Sequence, residues 1–127
     1  MNQRTFISTG LLAALTTLSF AASAADVTVS CEKRSNRSKV SVDGNNLAAG
    51  SYKAVVTSGT NTAATNFANA DGDEAEFDFD SARADIAAGA TAIAPAFIVD
   101  GRVRAWLVNS SNQRVSAVVA AVCRVRR

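Results

Sequence analysis

EAEFDFD, residues 74–80, alternates a carboxylate with an apolar side chain at every step. A period of two belongs to a β-strand, whose successive side chains leave on opposite faces; a helix would scatter both classes around its circumference. Glu74 to Asp80 is therefore predicted as a half-buried strand, with Ala75, Phe77 and Phe79 toward a core and Glu74, Glu76, Asp78 and Asp80 toward water. The strand is part of a wider charge segregation. Seven of the chain's eleven acids lie within residues 71–85, although the formal net charge is only +2.

The same period recurs on both sides of this stretch, in short runs bounded by Gly, Asn, Asp and Ser. Asp26 to Lys33 places Val27, Val29 and Cys31 on one face, and Lys39 to Asp43 turns Val40 and Val42 inward. A third run, Leu47 to Gly59, aligns Tyr52, Ala54 and Val56. Thr60 to Ala70 lacks a pattern and is predicted as a loop; Ser81 to Gly89 is predicted as a loop holding one helical turn. Thr91 to Val99 is a fifth strand with Pro95 at an edge or bulge. Asp100-Gly101 is a two-residue type I′ hairpin turn. It leads into Arg102 to Val108, with Val103, Ala105 and Leu107 on one side and Arg102, Arg104 and Trp106 on the other. After a turn at Asn109 to Asn112, Arg114 to Val125 is apolar on both faces, which predicts a central or covered strand.

Seven short strands at this spacing predict an all-β domain over residues 26–127: a small β-sandwich of antiparallel strands, with a small barrel as the alternative. LAAGSYKAVV, residues 47–56, brings an apolar residue, a tight Gly turn and a Tyr entering a strand. In this it resembles immunoglobulin-like domains, and the resemblance implies an immunoglobulin-like sandwich. The only Trp falls well after the midpoint and the cysteines sit in the first and last strands, which departs from the Cys, Trp, Cys order of antibody-type domains.

Arg4, the apolar stretch from Gly10 to Phe20 and the small residues Ala22-Ser23-Ala24 are read as a cleaved secretory signal peptide, residues 1–25. The expected product is secreted or periplasmic and keeps no transmembrane anchor. Export places Cys31 and Cys123 where disulfides persist, and the two are expected to pair.

The chain contains no His, one Tyr and one Met. With no hydroxyl or thiol nucleophile beside a plausible base, an enzyme is not expected, and neither is a cofactor. Acids two apart on a strand stand about 6 to 7 Å apart, at the lower edge of an inverting glycosidase pair, but a sandwich face supplies no cleft to raise one pKa. Asn69, Asp71, Asp73 and Glu74 loosely follow the oxygen-rich start of a calcium loop, yet Gly72 is out of place for an EF-hand and no bidentate Glu follows. No metal site is therefore predicted beyond this weak candidate.

Two faces remain. The row Glu74, Glu76, Asp78 and Asp80 reads as a solubilising strand face, partly matched by arginines across the sheet, or as a docking surface for a cationic partner. Arg102, Arg104 and Trp106 combine residue types enriched in binding hot spots and suited to stacking on sugars or aromatic groups. Lys33, Arg34, Arg37 and Lys39 with Arg124, Arg126 and Arg127 would form a basic end if a disulfide joins the first and last strands. Basic residues are otherwise dispersed, so nucleic acid is not an expected partner. The expectation is an exported, non-enzymatic module for a protein or glycan partner. A structural subunit that self-associates into a surface assembly is the alternative, and a small inhibitor of an extracellular enzyme is a third.

Overall fold

A computed structural model describes residues 25–127, so the predicted signal segment lies outside the described residues except for Ala25. In chain order the elements are β1 (Asp26–Arg34), β2 (Arg37–Asn45), β3 (Ser51–Ser58), β4 (Asn61–Ala64), β5 (Ala68–Asn69), β6 (Ala75–Asp80), α1 (Arg83–Ala87), β7 (Thr91–Ala92), β8 (Arg102–Asn109), β9 (Val119–Val122) and β10 (Arg124–Val125). They form two sheets. The first runs β10-β1-β2-β6-β7 and the second β4-β3-β8-β9, with β5 also against β3.

The inward positions of the alternating runs meet between these layers. Val40 and Val42 of β2 and Phe77 and Phe79 of β6 face Tyr52, Ala54 and Val56 of β3 and Val103, Ala105 and Leu107 of β8, all buried in one cluster. Each large side chain removed from water in this way contributes about 1.5 to 3 kcal/mol. The predicted inward faces of β2, β3, β6 and β8 are those observed. Asp100 and Gly101 hold φ of 55° and 65°, the doubly left-handed backbone of the predicted type I′ turn, and the Arg102 amide closes it on Val99 O at 3.3 Å.

Gly44 on β2 lets the layers approach. A methyl group built there would lie 2.5 Å from Leu107 Cδ1. Gly44→Ala is expected to cost about 1 to 3 kcal/mol through overpacking. A lower urea midpoint at unchanged m-value would record it, and an unchanged midpoint would show that Leu107 has room to move.

Three parts depart from the sequence-based expectations. The Thr60 to Ala70 loop contains β4 and β5, short and exposed enough to carry little apolar period. The predicted strand Thr91 to Val99 is reduced to β7, because Pro95 has no amide for a ladder and the following residues pair with side chains instead. Ser38 Oγ donates to Pro95 O (2.7 Å) and accepts from the Ile98 amide (3.2 Å), while Ser58 Oγ accepts from the Val99 amide (2.7 Å) and Asn61 Nδ2 donates to Phe97 O (2.8 Å). Phe97 and Ile98 are buried by a pinned loop rather than by a strand.

The last segment is neither central nor covered. β9 lies at the edge of the second sheet; the chain then crosses at Cys123, whose amide bonds Gly101 O at 2.8 Å, and β10 joins the first sheet parallel to β1. Passing from one sheet to the other interrupts the alternation. Val118, Val122 and Val125 are left 41%, 80% and 64% exposed. The sandwich-like fold is also not wholly antiparallel, since β6 pairs β7 in parallel as β1 does β10. Cys31 and Cys123 form a disulfide that clasps β1 to this crossing.

Candidate binding surfaces

On the outer face of the first sheet, the register sets Asp43 opposite Glu76, Ser41 opposite Asp78 and Lys39 opposite Asp80. Ser41 Oγ donates to Asp78 Oδ1 at 2.8 Å. Burial, reinforced by the negative charge of Asp78, pushes the Asp43 carboxyl above its ordinary value. Among the described residues neither Glu76 nor Asp78 forms an ion pair. The arginine neighbours expected across the sheet are therefore absent at these two acids. Like charges in direct register are mildly destabilising on their own.

Asp80 does not belong to this solvent row. Its side chain is 1% exposed and receives Arg37 Nε at 3.0 Å and Arg37 NH2 at 2.7 Å, while the Ala82 amide donates to Oδ1 at 2.9 Å. Arg37 also reaches Asp85 on α1 at 3.0 Å. The alternation places Asp80 outward, as expected, but the guanidinium from β2 and the turn into α1 cover it. Burial pushes the Asp80 carboxyl up, yet Arg37, the Ala82 amide and the nearby charge of Lys39 hold it below the usual carboxylate range. The hydrogen bond from Arg37 to Asp80 raises the guanidinium's own pKa in turn. This is a clasp between β2, β6 and α1, not a surface. Ser81 Oγ accepts from the Ser38 amide at 3.0 Å, and no side chain caps the start of α1.

Glu74 is exposed in a tight turn that pairs with Asp71, the amide of each bonding the other's carbonyl at 2.7 and 3.1 Å. Asn69 Oδ1 accepts from Ser51 Oγ at 2.6 Å. Among the described residues no three acidic or thiol side chains converge in a way that would hold a metal ion. Asn69, Asp71, Asp73 and Glu74 are thus neighbours in the chain without forming a cage.

The outer face of the second sheet gathers Arg102, Arg104 and Trp106 from β8 as the alternation requires, the two arginines exposed and the indole half-buried. Across the ladders, Trp106 stands opposite Val55, Arg104 opposite Thr57 and Ala120, and Arg102 opposite Val122. Lys53 lies on the same face opposite Val108. No strand position of this face carries a carboxylate; Asp100 stands only at the hairpin tip. A shallow groove of about 570 Å³ runs between Thr57, Val99, Arg102, Arg104 and Val122, with Asp100 at its hairpin end. Neither Arg102 nor Arg104 forms an ion pair among the described residues.

The basic end assembles only in part. Arg126 Nε binds Glu32 at 2.6 Å and Arg34 reaches the same carboxylate at 3.6 Å, while Arg37 is consumed by Asp80 and Asp85. One feature escaped the sequence pattern: Phe67, 43% exposed, lies beneath Lys53, whose ammonium is 5.0 Å from the ring centroid. Such a pair contributes about 0.5 to 1 kcal/mol at an exposed site. A single Phe within the uncharged run from Ser58 to Ala70 was the signal that could have found it.

Comparison with protein-family models, with curated proteins and with solved structures finds no match to this chain.

Proposed function

We propose that the chain is an exported, non-enzymatic binding module that meets an anionic partner with the outer face of its second sheet. The observation that carries this reading is the set of unpaired cations Arg102 and Arg104 beside Trp106 and the uncovered Val122, on a face whose strands carry no acid. Exposed charge without an internal partner costs the fold little and is available to steer and orient an opposite charge. The adjoining indole and aliphatic surface supply the apolar area that charges alone lack.

We read the frame as an immunoglobulin-like sandwich: β1, β2 and β6 correspond in order to strands A, B and E of that plan, and β4, β3, β8 and β9 to C′, C, F and G. The disulfide between the first strand and the end of the chain supports work outside the reducing cytoplasm. Among the described residues no helix is long and apolar enough to cross a membrane.

Trp106 is the only tryptophan, so its emission reports directly on the face. Titration with polyglutamate at low salt is expected to shift that emission, and about 0.5 M salt to suppress the shift. Trp106→Ala is expected to weaken binding, followed by calorimetry, about tenfold or more. Arg102→Glu with Arg104→Glu is expected to abolish it, while Arg124→Glu with Arg127→Glu leaves it within about twofold. Equal affinity in all variants would remove the second-sheet face as the binding surface.

A further inference from the structure

We propose that the anionic partner is a second copy of this chain, whose Glu76 and Asp78 dock on Arg102 and Arg104, so that the protein stacks sheet face on sheet face. This inference rests on the binding face proposed above and names what covers it.

Each sheet exposes a pair of like charges two residues apart on one strand: Glu76 and Asp78 on β6, Arg102 and Arg104 on β8. Residues at that interval are held about 6 to 7 Å apart by the extended backbone. The two pairs therefore match in spacing as well as sign, and strands laid alongside one another can satisfy both contacts at once. All four side chains are without an ion-pair partner among the described residues. Asp43, opposite Glu76, adds a third negative charge to the acidic patch and has no cation bound to it. An arriving guanidinium would relieve the crowding of like charges there.

The acidic pair lies on the outer face of the first sheet and the basic pair on the outer face of the second, on opposite sides of the two layers. Two copies cannot satisfy both faces of each other. A contact between unlike faces leaves one acidic and one basic face free at the ends, so association propagates instead of closing into a symmetric dimer. It is driven by exposed charges and is sensitive to salt.

Sedimentation velocity of the purified, oxidised protein across a concentration series tests this. At low salt the weight-average mass is expected to rise continuously, by about twofold or more, and to return to the monomer near 0.5 M salt. R102E/R104E and E76K/D78K are each expected to remain monomeric, because in each the two docking pairs carry the same sign. Their equimolar mixture is expected to stack again, as is a single chain carrying all four reversals. The mixture also separates loss of docking from loss of folding. A wild-type protein that stays monomeric at low salt, or stacking that either reversal leaves untouched, would overturn the inference. A monomer whose Trp106 emission still responds to polyglutamate, and loses the response in R102E/R104E, overturns only the identity of the partner. No response to polyglutamate and no stacking would remove both readings.

Discussion

Replacing Cys31 and Cys123 together by serine is expected to lower stability by about 4 to 5 kcal/mol on the chain-entropy account of a cross-link. The two residues are 92 positions apart, so the bond constrains nearly the whole described chain in its unfolded state. What the bond holds in the folded state is narrow. β10 contributes two residues to the first sheet, tied to β1 by register pairs at Glu32 and Lys33 and by the Arg126 amide on Lys33 O at 2.8 Å. β9 is a four-residue edge strand whose Val122 is almost fully exposed. Little buried apolar area therefore anchors the end of the chain without the bond, whereas β3 and β8 retain the core between them. The loss is expected to lower the melting temperature by roughly 20 °C or more for a domain of this size. Calorimetry of the Cys31→Ser, Cys123→Ser variant against the oxidised protein measures it. Hydrogen exchange should speed up first across residues 119–125 while Val103 to Leu107 stay protected. A fall of less than about 5 °C would show that edge pairing alone carries the carboxy-terminal crossing.

The alternation read from Glu74 to Asp80 located the core because it depends only on which face of a strand each side chain leaves. It therefore held for β2, β3, β6 and β8, and equally for Arg102, Arg104 and Trp106. The period says nothing about what lies above a face. Asp80 shares the outward parity of Glu76 and Asp78, yet Arg37, far away in sequence, and the turn into α1 close over it. Nothing in the sequence indicated that the hydroxyls of Ser38 and Ser58 would replace a strand partner for Ile98 and Val99. The two-sided apolar pattern of Arg114 to Val125 was misleading for a different reason. A strand buried on both faces and a strand that changes sheets have the same composition, and only the position of Cys123 at the crossing distinguishes them.

Arg37→Ala is expected to cost about 3 to 5 kcal/mol, because it strands a buried carboxylate without its cation. Asp80→Ala is expected to cost less. The guanidinium, 25% exposed, keeps Asp85 and water, although the Ala82 amide loses its acceptor. The order of the two variants therefore reports which partner is the more deeply buried, and comparable losses from both would contradict the clasp. Acid tests the same pair. Because Arg37 and the Ala82 amide hold the folded carboxyl of Asp80 below the unfolded value of about 3.9, the pair's contribution is complete above that value. It declines as the pH falls and is lost once the pH passes below the folded value. In Arg37→Ala the upward push of burial on Asp80 is opposed only by the Ala82 amide and the charge of Lys39, so its pKa rises and protonation weakens the folded state less than in the wild type. The difference between the wild type and Arg37→Ala in urea unfolding is therefore expected to be largest near neutrality and to shrink below about pH 4. A difference that stays constant across that range would place the loss in packing of the Arg37 stem rather than in its charge.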